Sequence, residues 1–215
     1  MYKRQDYIFD EIDLDFANLH KIGVTGGKSS NLSDTYKDIP VIKINEVDAI
    51  GLGAIALYDI SEESFVAVSA GTGTACIHHN NGKFNHLGGI SVGGGTLQGL
   101  SKYLINTGNV KDIEELAKKG DRKELDFLIG DVVNEIGSLY PEITASNFGK
   151  AKNNKNNSKE DAAASLSNMI GEVIGTISYL NALLCNENKV YFLGRTSLNS
   201  AVSYTHLTLP TINWV

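Results

Sequence analysis

The sequence feature that most constrains the fold is a run of three glycines, Gly93–Gly95, followed at once by apolar residues at helical spacing. Glycine lowers the stability of a regular element, because its backbone loses more conformational freedom on folding than that of any other residue. Three glycines at the start of a helix therefore need a reason. One reason is phosphate binding at the helix N-terminus. The other is close packing of the helix against a strand, and the sequence alone leaves both open.

A second glycine-containing turn, Gly71–Thr74, lies between two apolar segments, Ser64–Ser69 and Thr74–His79. This pattern predicts a strand, a turn and a second strand. A turn with two glycines lets backbone N–H groups approach an anion closely, and threonine hydroxyls add further donors. A phosphate site and an ordinary hairpin turn are equally compatible with these residues. Farther on, Asn81-Gly82 predicts a β-hairpin, because both residues tolerate positive φ.

The rest of the chain alternates predicted strands and helices. Strands are expected at residues 21–24, 41–44 and 190–193, and helices after Glu46, at 112–119 and after Ser158. Ser158 is placed to cap a long helix, with Asp161 three residues on. Strands that alternate with helices indicate an α/β protein.

Composition excludes several classes of function. The 215 residues are 42% hydrophobic and 20% charged, with a formal net charge of −6. This acidic balance argues against nucleic acid or an anionic membrane as a partner. The two cysteines, Cys76 and Cys185, lie too far apart in sequence for a zinc motif and suit a reducing compartment. No apolar run is long enough to cross a membrane. We therefore expect a cytoplasmic protein.

Both ends of the chain carry a foreign pattern. Val202–Thr211 and Tyr2–Gln5 can be back-translated into the two orientations of one transposon adaptor used in sequencing libraries. We expect residues 1–5 and 202–215 to derive from that adaptor, and residues 6–201 to be natural chain, open at both ends. The alternative is a natural tail in which Pro210 and Trp214 close a strand.

Several single residues are candidates for chemistry. Glu46 directly follows a predicted strand, where ligands bind in open α/β sheets, and could accept a proton during phosphoryl transfer. Its alternative role is a first-turn acid favoured by the helix dipole. His78 and His79 would point to opposite faces of a strand, so we expect no metal site there. Cys76 is expected to be a buried strand residue.

Taken together and in order, these segments resemble the type II pantothenate kinases. The resemblance runs through nearly all of residues 6–201. It is carried by Thr25–Gly27, Ile39–Ala49, Gly71–Ile77, Gly88–Leu104, Leu116–Asp126, Thr144–Lys150 and Val190–Asn199.

The resemblance implies an actin-like ATPase fold (ribonuclease H-like) with two α/β lobes and ATP between them. Residues 6–60 would be the remainder of the N-terminal lobe and residues 61–201 an incomplete C-terminal lobe. It further implies the Mg²⁺- and ATP-dependent phosphorylation of the 4′-hydroxyl of pantothenate, the first step toward coenzyme A. Family members form homodimers with a long helix at the interface, and coenzyme A or acyl-coenzyme A is a possible feedback ligand.

The resemblance also assigns residues. Glu46 would be the general base, and no residue is assigned to a metal. His86 and Ala75 would face pantothenate, although the family often has Arg and Ser at these positions. Arg195 stands where a small hydroxyl residue is usual. The residues expected to contact ATP are Gly71, Thr72, Gly73, Thr74, Gly94, Gly95, Thr96, Leu97, Gln98, Val110 and Arg195.

The family's first phosphate loop, Asp-x-Gly-Gly-Thr, has no match before Asp6. We therefore expect the 215-residue chain to lack kinase activity by itself. Two other functions stay open. One is an actin-fold kinase of another small hydroxyl substrate, such as a sugar or amino sugar. The other is a non-catalytic regulator that binds a nucleotide or acyl-coenzyme A.

Overall fold

A computed structural model of the chain describes residues 18–61, 63–133, 140–153 and 158–199. The adaptor-derived segments expected at residues 1–5 and 202–215 lie outside these ranges. Internal contacts divide the chain into two compact units, residues 1–49 and 50–215, and the division falls within a helix. The lobe boundary predicted at residue 60 stays a prediction, and the two units are described separately below.

The first unit contains a three-stranded sheet in the order β1-β3-β2. β1 and β3 are parallel, and Val24 pairs with Lys43, so both strands end at the same edge of the sheet. β2 runs antiparallel to β3. The strands are β1 (Ile22–Val24), β2 (Thr35–Tyr36) and β3 (Ile39–Lys43), and a short 3₁₀ helix covers Ser29–Asn31. The helix that follows β3 is α1 (Glu46–Tyr58).

The second unit is built on a four-stranded sheet in the order β6-β5-β4-β9. β4, β5 and β6 form an antiparallel meander, and β9 adds to β4 in parallel. The turn between β5 and β6 has Asn81 at φ 50° and Gly82 at φ 72°, which confirms the predicted hairpin. The strands are β4 (Ser64–Ala70), β5 (Thr74–Asn80), β6 (Lys83–Ile90) and β9 (Val190–Leu193).

Helices cover one face of this sheet and form the main core with it. They are α2 (Gly94–Ile105), α3 (Val110–Ala117) and the 27-residue α5 (Lys159–Cys185). The core joins Val66, Val68 and Cys76 of the sheet to Leu97 of α2 and Ile170 of α5. On the opposite face Ala54 of α1 packs with Phe65 and Ala67. The sheet of the second unit is therefore covered on both faces, as α/β architectures require.

Smaller elements connect α3 to α5. They are a 3₁₀ helix at Arg122–Glu124, β7 (Phe127–Leu128), α4 (Ile129–Val132) and β8 (Thr144–Ser146), and β7 pairs with β8. The sequence did not predict β2, β7 or β8, because two or three residues are too few to show a strand period. The predicted α/β class and the main strands and helices are confirmed.

Three predictions about local structure are confirmed as well. The Ser158 hydroxyl accepts the N–H of Asp161 at 2.9 Å and caps α5. Cys76 is fully buried, and burial raises the pKa of its thiol. His78 and His79 lie on opposite faces of β5: His78 contacts Glu187 at 2.8 Å, and the ring of His79 packs against an aromatic neighbour.

A buried carboxylate ties the β7–β8 region to α5. Asp126 is fully buried, and its Oδ1 accepts hydrogen bonds from the N–H of Phe148 at 2.8 Å and from the Ser165 hydroxyl. Burial raises the pKa of the Asp126 carboxyl, while those hydrogen bonds and the nearby Arg122 guanidinium oppose the rise. Phe148 has φ 55°, so Asp126 stabilises a backbone conformation that is uncommon for a bulky residue.

Among the described residues, no helix combines the length and the hydropathy that a membrane span needs. The long helix α5 instead places buried polar residues such as Ser165 and Asn168 against the rest of the second unit.

Candidate functional site

Three loops of the second unit meet at one edge of its sheet. β4 and β9 are parallel neighbours, with Ser69 paired to Leu193, so the segments that follow them leave the sheet side by side. The first is the turn Gly71–Gly73, which we call the threonine turn, and the second is the segment Gly194–Asn199. The third is the N-terminus of α2. Carboxyl ends of strands at such an edge are where open α/β sheets bind ligands.

Hydrogen bonds join the three loops directly. The carbonyl oxygen of Gly71 accepts the N–H of Gly94 at 2.8 Å and the hydroxyl of Thr196 at 3.0 Å. The carbonyl oxygen of Thr72 accepts the N–H of Gly95 at 2.9 Å. The first two N–H groups of α2 therefore donate to the threonine turn.

Close packing explains the glycine run. A Cβ atom added to Gly93 would lie 2.8 Å from the carbonyl oxygen of Thr72, and one added to Gly95 would lie 2.7 Å from the Thr72 methyl group. At Gly94 the added atom would lie 2.4 Å from the Thr196 hydroxyl oxygen. Of the two reasons that the sequence left open, the structure supplies the packing one, and the partner is a turn rather than a strand.

The threonine turn keeps donors that face away from α2. Within the described part of the chain, the N–H groups of Thr72 and Gly73 and the hydroxyl of Thr72 make no hydrogen bond. Thr72 is exposed, whereas the hydroxyl of Thr74 is used in the fold, because it donates to the carbonyl oxygen of Val92 at 2.8 Å. Two adjacent open N–H groups and a hydroxyl suit a phosphate group, and the positive end of the α2 dipole lies directly behind them.

The remaining residues predicted to contact ATP differ in what they can offer. The Thr96 hydroxyl donates to the carbonyl oxygen of Ser91 at 3.1 Å, and the Gln98 amide donates to the carbonyl oxygen of Gly94 at 3.1 Å. Leu97 is buried in the core, so its side chain cannot reach a ligand. Arg195 is exposed directly after the turn at Gly194.

Val110 follows a loop that folds back along α2. A Cβ atom added at Gly108 would lie 3.4 Å from the carbonyl oxygen of Gln98, so this loop passes close to the middle of α2. Val110 begins α3 with an exposed side chain. The loop thus returns Val110 to the helix that carries the glycine run.

The two residues predicted to face pantothenate share one face of the sheet. Ala75 pairs with Ser69, and His86 pairs with Ile77, the residue two positions after Ala75 on β5. Ile77 lies on the face where α1 packs, since its partner Ala67 belongs to that cluster. Ala75 and His86 therefore lie near each other on that face, beside the threonine turn.

Glu46 belongs to the first unit and lies at the edge of its sheet. It is the first residue of α1, exposed, and follows β3. Asn45 caps the helix: its side-chain oxygen accepts the N–H of Val47 at 2.8 Å. Thr25–Gly27 follow the parallel strand β1 at the same edge. The structure thus places Glu46 at the carboxyl edge of a parallel strand pair, where the sequence predicted it.

Sequence reasoning missed Thr196. It is 7% exposed, and besides its hydroxyl contact its N–H donates to the carbonyl oxygen of Ala70 at 3.2 Å. The sequence offered one weak signal, a hydroxyl residue just after Gly194-Arg195, but the residue singled out there was Arg195. The contact of Thr196 joins positions far apart in sequence, and no local pattern reveals it.

Comparison with known sequences agrees with the resemblance to the type II pantothenate kinases. The family model described as Fumble matches residues 59–214. A type II pantothenate kinase of Bacillus thuringiensis subsp. konkukian is 36% identical over 209 residues, which cover 91% of this chain and 73% of the relative. A type II pantothenate kinase of Oceanobacillus iheyensis is 32% identical over 191 residues, covering 86% of this chain and 69% of the relative.

Comparison with solved structures supports the fold. The activator of the 2-hydroxyisocaproyl-CoA dehydratase from Clostridium difficile, with bound ADPNP, matches with a TM-score of 0.59 at 15% identity, covering 95% of this chain and 70% of that one. Component A of the Acidaminococcus fermentans (R)-2-hydroxyglutaryl-CoA dehydratase matches with a TM-score of 0.56 at 15% identity, covering 86% and 64%. The expected actin-like ATPase fold class is confirmed.

The packing explanation predicts opposite effects for two alanine substitutions in α2. In Gly95→Ala the new methyl group meets Thr72, and overpacking of this kind costs about 1–3 kcal/mol. In Gly99→Ala the new group has nothing within 4 Å, so removing a helix glycine should add about 0.5–1 kcal/mol. Denaturant unfolding of both variants measures the difference. Equal stability of the two variants would contradict the packing explanation.

Proposed function

Because this chain belongs to the type II pantothenate kinase family, we propose that the protein, in a form that also carries the family's first phosphate loop, phosphorylates pantothenate with ATP, the first step of coenzyme A biosynthesis. The observation that carries the proposal is the three-loop cluster, in which open donors of Thr72 and Gly73 lie in front of the N-terminus of α2. Such a cluster suits the phosphates of a nucleotide. Family membership then supplies the acceptor, a hydroxyl of pantothenate.

We propose that the threonine turn holds the ATP phosphates. Within the predicted segment Gly71–Thr74, Thr72 and Gly73 supply the open donors, and Gly94–Gln98 places the positive end of the α2 dipole behind them. Val110 and Arg195 would border the rest of the nucleotide, since both are exposed on segments that adjoin α2 or the threonine turn. Phosphoryl transfer depends mainly on this positioning and on electrostatic stabilisation of the transferred group.

Magnesium would accompany ATP as it does in other phosphoryl transfers. Mg²⁺ is usually held by substrate phosphates, water and one or two carboxylates, not by a dedicated protein cage. In that mode, phosphates bound by the open N–H groups of Thr72 and Gly73 would hold the ion together with water. The ion would neutralise charge on the phosphate oxygens.

We propose Glu46 as the general base. As the 4′-hydroxyl oxygen of pantothenate forms a bond to the γ-phosphorus, the bond from that phosphorus to the β-γ bridging oxygen breaks and ADP leaves. The hydroxyl proton passes to the Glu46 carboxylate. The Glu46 carboxylate is exposed at a strand end and forms no ion pair with the described residues, so it is available for that proton.

Substitution of Glu46 tests the base directly. Glu46→Gln keeps the shape but cannot accept the proton, so kcat should fall about 10²- to 10⁴-fold. The matched control is Asp48→Asn, which removes the other acid from the first turn of α1 and should leave kcat nearly unchanged. Steady-state assays with pantothenate, on a form of the protein that also carries the family's first phosphate loop, measure kcat for both variants, and titration with ATP measures their nucleotide affinity. Nucleotide binding without turnover in that form, unsubstituted, would favour the alternative of a non-catalytic regulator.

The acceptor site carries the clearest departure from the family pattern. His86 and Ala75 lie on the same face of the sheet, and a histidine holds an anionic substrate less firmly than an arginine. This observation favours a second candidate, a kinase of another small hydroxyl substrate such as a sugar or amino sugar. It also makes the affinity for pantothenate the quantity to measure.

A charge substitution at His86 separates the two acceptors. If pantothenate is the substrate, His86→Arg should lower its KM about three- to tenfold, because arginine adds a permanent charge and a pair of donors that match a carboxylate. Asn85→Arg adds the same charge on the neighbouring position of β6, which points to the opposite face, and should leave KM unchanged. A substrate panel run on both variants is the measurement. Turnover of a sugar but not of pantothenate would favour the second candidate.

We also propose a homodimer formed through α5. Four exposed apolar residues follow one side of this helix: Val173, Leu180, Leu183 and Leu184, of which Leu184 is 80% exposed. An apolar stripe of this kind is typical of a protein interface.

The family motivates two further proposals. One is that coenzyme A or acyl-coenzyme A binds as a feedback ligand, and the other is a cytoplasmic location.

The oligomeric state can be tested with one charged residue. Leu180→Asp should convert a dimer into a monomer, because it buries an unpaired charge in the interface. Leu57→Asp is the matched control, since Leu57 is an exposed leucine of another helix, α1, and should leave the dimer intact. Sedimentation velocity measures the mass of both variants. A monomeric unsubstituted chain, or a dimeric Leu180→Asp variant, would contradict this interface.

A further inference from the structure

Thr196 makes one hydrogen bond to the end of β4 and one to the threonine turn, and it is almost fully buried. Its N–H donates to the carbonyl oxygen of Ala70 at 3.2 Å, and its hydroxyl donates to the carbonyl oxygen of Gly71 at 3.0 Å. The proposed roles of the neighbouring residues do not involve Thr196. The hydroxyl acts on the backbone of the threonine turn.

The carbonyl oxygen of Gly71 is the point that the three loops share. It accepts a second hydrogen bond, from the N–H of Gly94 at 2.8 Å. A carbonyl oxygen has two lone pairs, so both acceptor positions of Gly71 are occupied. Gly94 and Thr196 pack closely, because a Cβ atom added at Gly94 would lie 2.4 Å from the Thr196 hydroxyl oxygen.

The orientation of the Gly71 carbonyl group also determines where the N–H group of Thr72 points. In a planar trans peptide the C=O of one residue and the N–H of the next point in opposite directions. The carbonyl of Gly71 points toward Gly94 and Thr196, so the N–H of Thr72 points away from them. The next peptide is oriented in the same way, because the carbonyl of Thr72 accepts from Gly95 and the N–H of Gly73 therefore points outward.

We propose that Thr196 is a positioning residue for the phosphates of the nucleotide. Its hydroxyl holds the Gly71–Thr72 peptide in the orientation that presents the N–H of Thr72 to a phosphate oxygen. Glycine at position 71 allows this peptide to rotate, and the hydrogen bond from Thr196 opposes that rotation. The inference rests on the proposed function, in which the threonine turn binds ATP.

The test compares three variants of the full chain with two ligands, ATP and adenosine, by calorimetric titration. Thr196→Val keeps the shape and removes the donor, so the Kd for ATP should rise about three- to tenfold, the effect of one lost hydrogen bond. The Kd for adenosine should not change, because adenosine has no phosphate. Thr196→Ser keeps the hydroxyl and should bind ATP as the unsubstituted chain does.

The matched control is Ser197→Ala. It removes a hydroxyl from the same turn, one that donates to the carbonyl oxygen of Gly194 at 2.6 Å and not to the threonine turn. ATP affinity should stay unchanged in this variant. A loss as large as that of Thr196→Val would show that any disturbance of the turn weakens binding, and it would overturn the inference.

The other outcomes are equally decisive. If the unsubstituted chain binds ATP and Thr196→Val binds it as tightly, this inference alone is overturned. Equal weakening of ATP and adenosine binding would also overturn it, because the effect would not depend on phosphate. If the unsubstituted chain binds no ATP, the proposed function fails and the inference fails with it. Should Thr196→Val unfold, Thr196→Ala repeats the test, and unfolding of both would make Thr196 a stability residue instead.

Discussion

The docking of α2 on the threonine turn is the interaction on which the site depends. The first N–H groups of any helix lack partners within the helix, and the carbonyls of a tight turn also need donors. Here Gly94 and Gly95 donate to Gly71 and Thr72, so each element satisfies the other. The glycine run permits this approach, and the outward N–H groups of the turn are its consequence.

This arrangement differs from the usual phosphate site at a helix N-terminus. In P-loop proteins the helix itself contributes N–H groups to the phosphate. In this chain the N–H groups of Gly94 and Gly95, the first two of α2, are used by the turn, so at these positions the helix acts on an anion through the field of its dipole. The donors available to a phosphate are instead the N–H groups of Thr72 and Gly73, which face away from α2. The glycines serve packing, and packing in turn orients the donors.

How much of this the sequence could predict depends on how local the cause is. The cap of α5 at Ser158 and the hairpin at Asn81-Gly82 depend on a few adjacent residues, so both were predicted. The glycine run was noticed, but the choice between its two explanations required the position of the turn. The contact from Thr196 to Gly71 spans 125 residues, and no periodicity or motif carries such information. The short strands β7 and β8 were not predicted for a different reason, because two or three residues are too few to show a strand period.

The departures from the family pattern are distributed unevenly over the site. The threonine turn and the glycine run keep every contact that orients the donors, which are properties of backbone atoms. His86 and Ala75 instead change side chains on the face of the sheet proposed for the acceptor, and Arg195 changes an exposed side chain beside the threonine turn. The glycine run tolerates few substitutions, because a Cβ atom added at Gly93, Gly94 or Gly95 meets a neighbour at under 3 Å. Exposed side chains can change without moving the backbone. Divergence in such a kinase should therefore alter exposed side chains around the ligands before it alters the backbone that orients the phosphate donors.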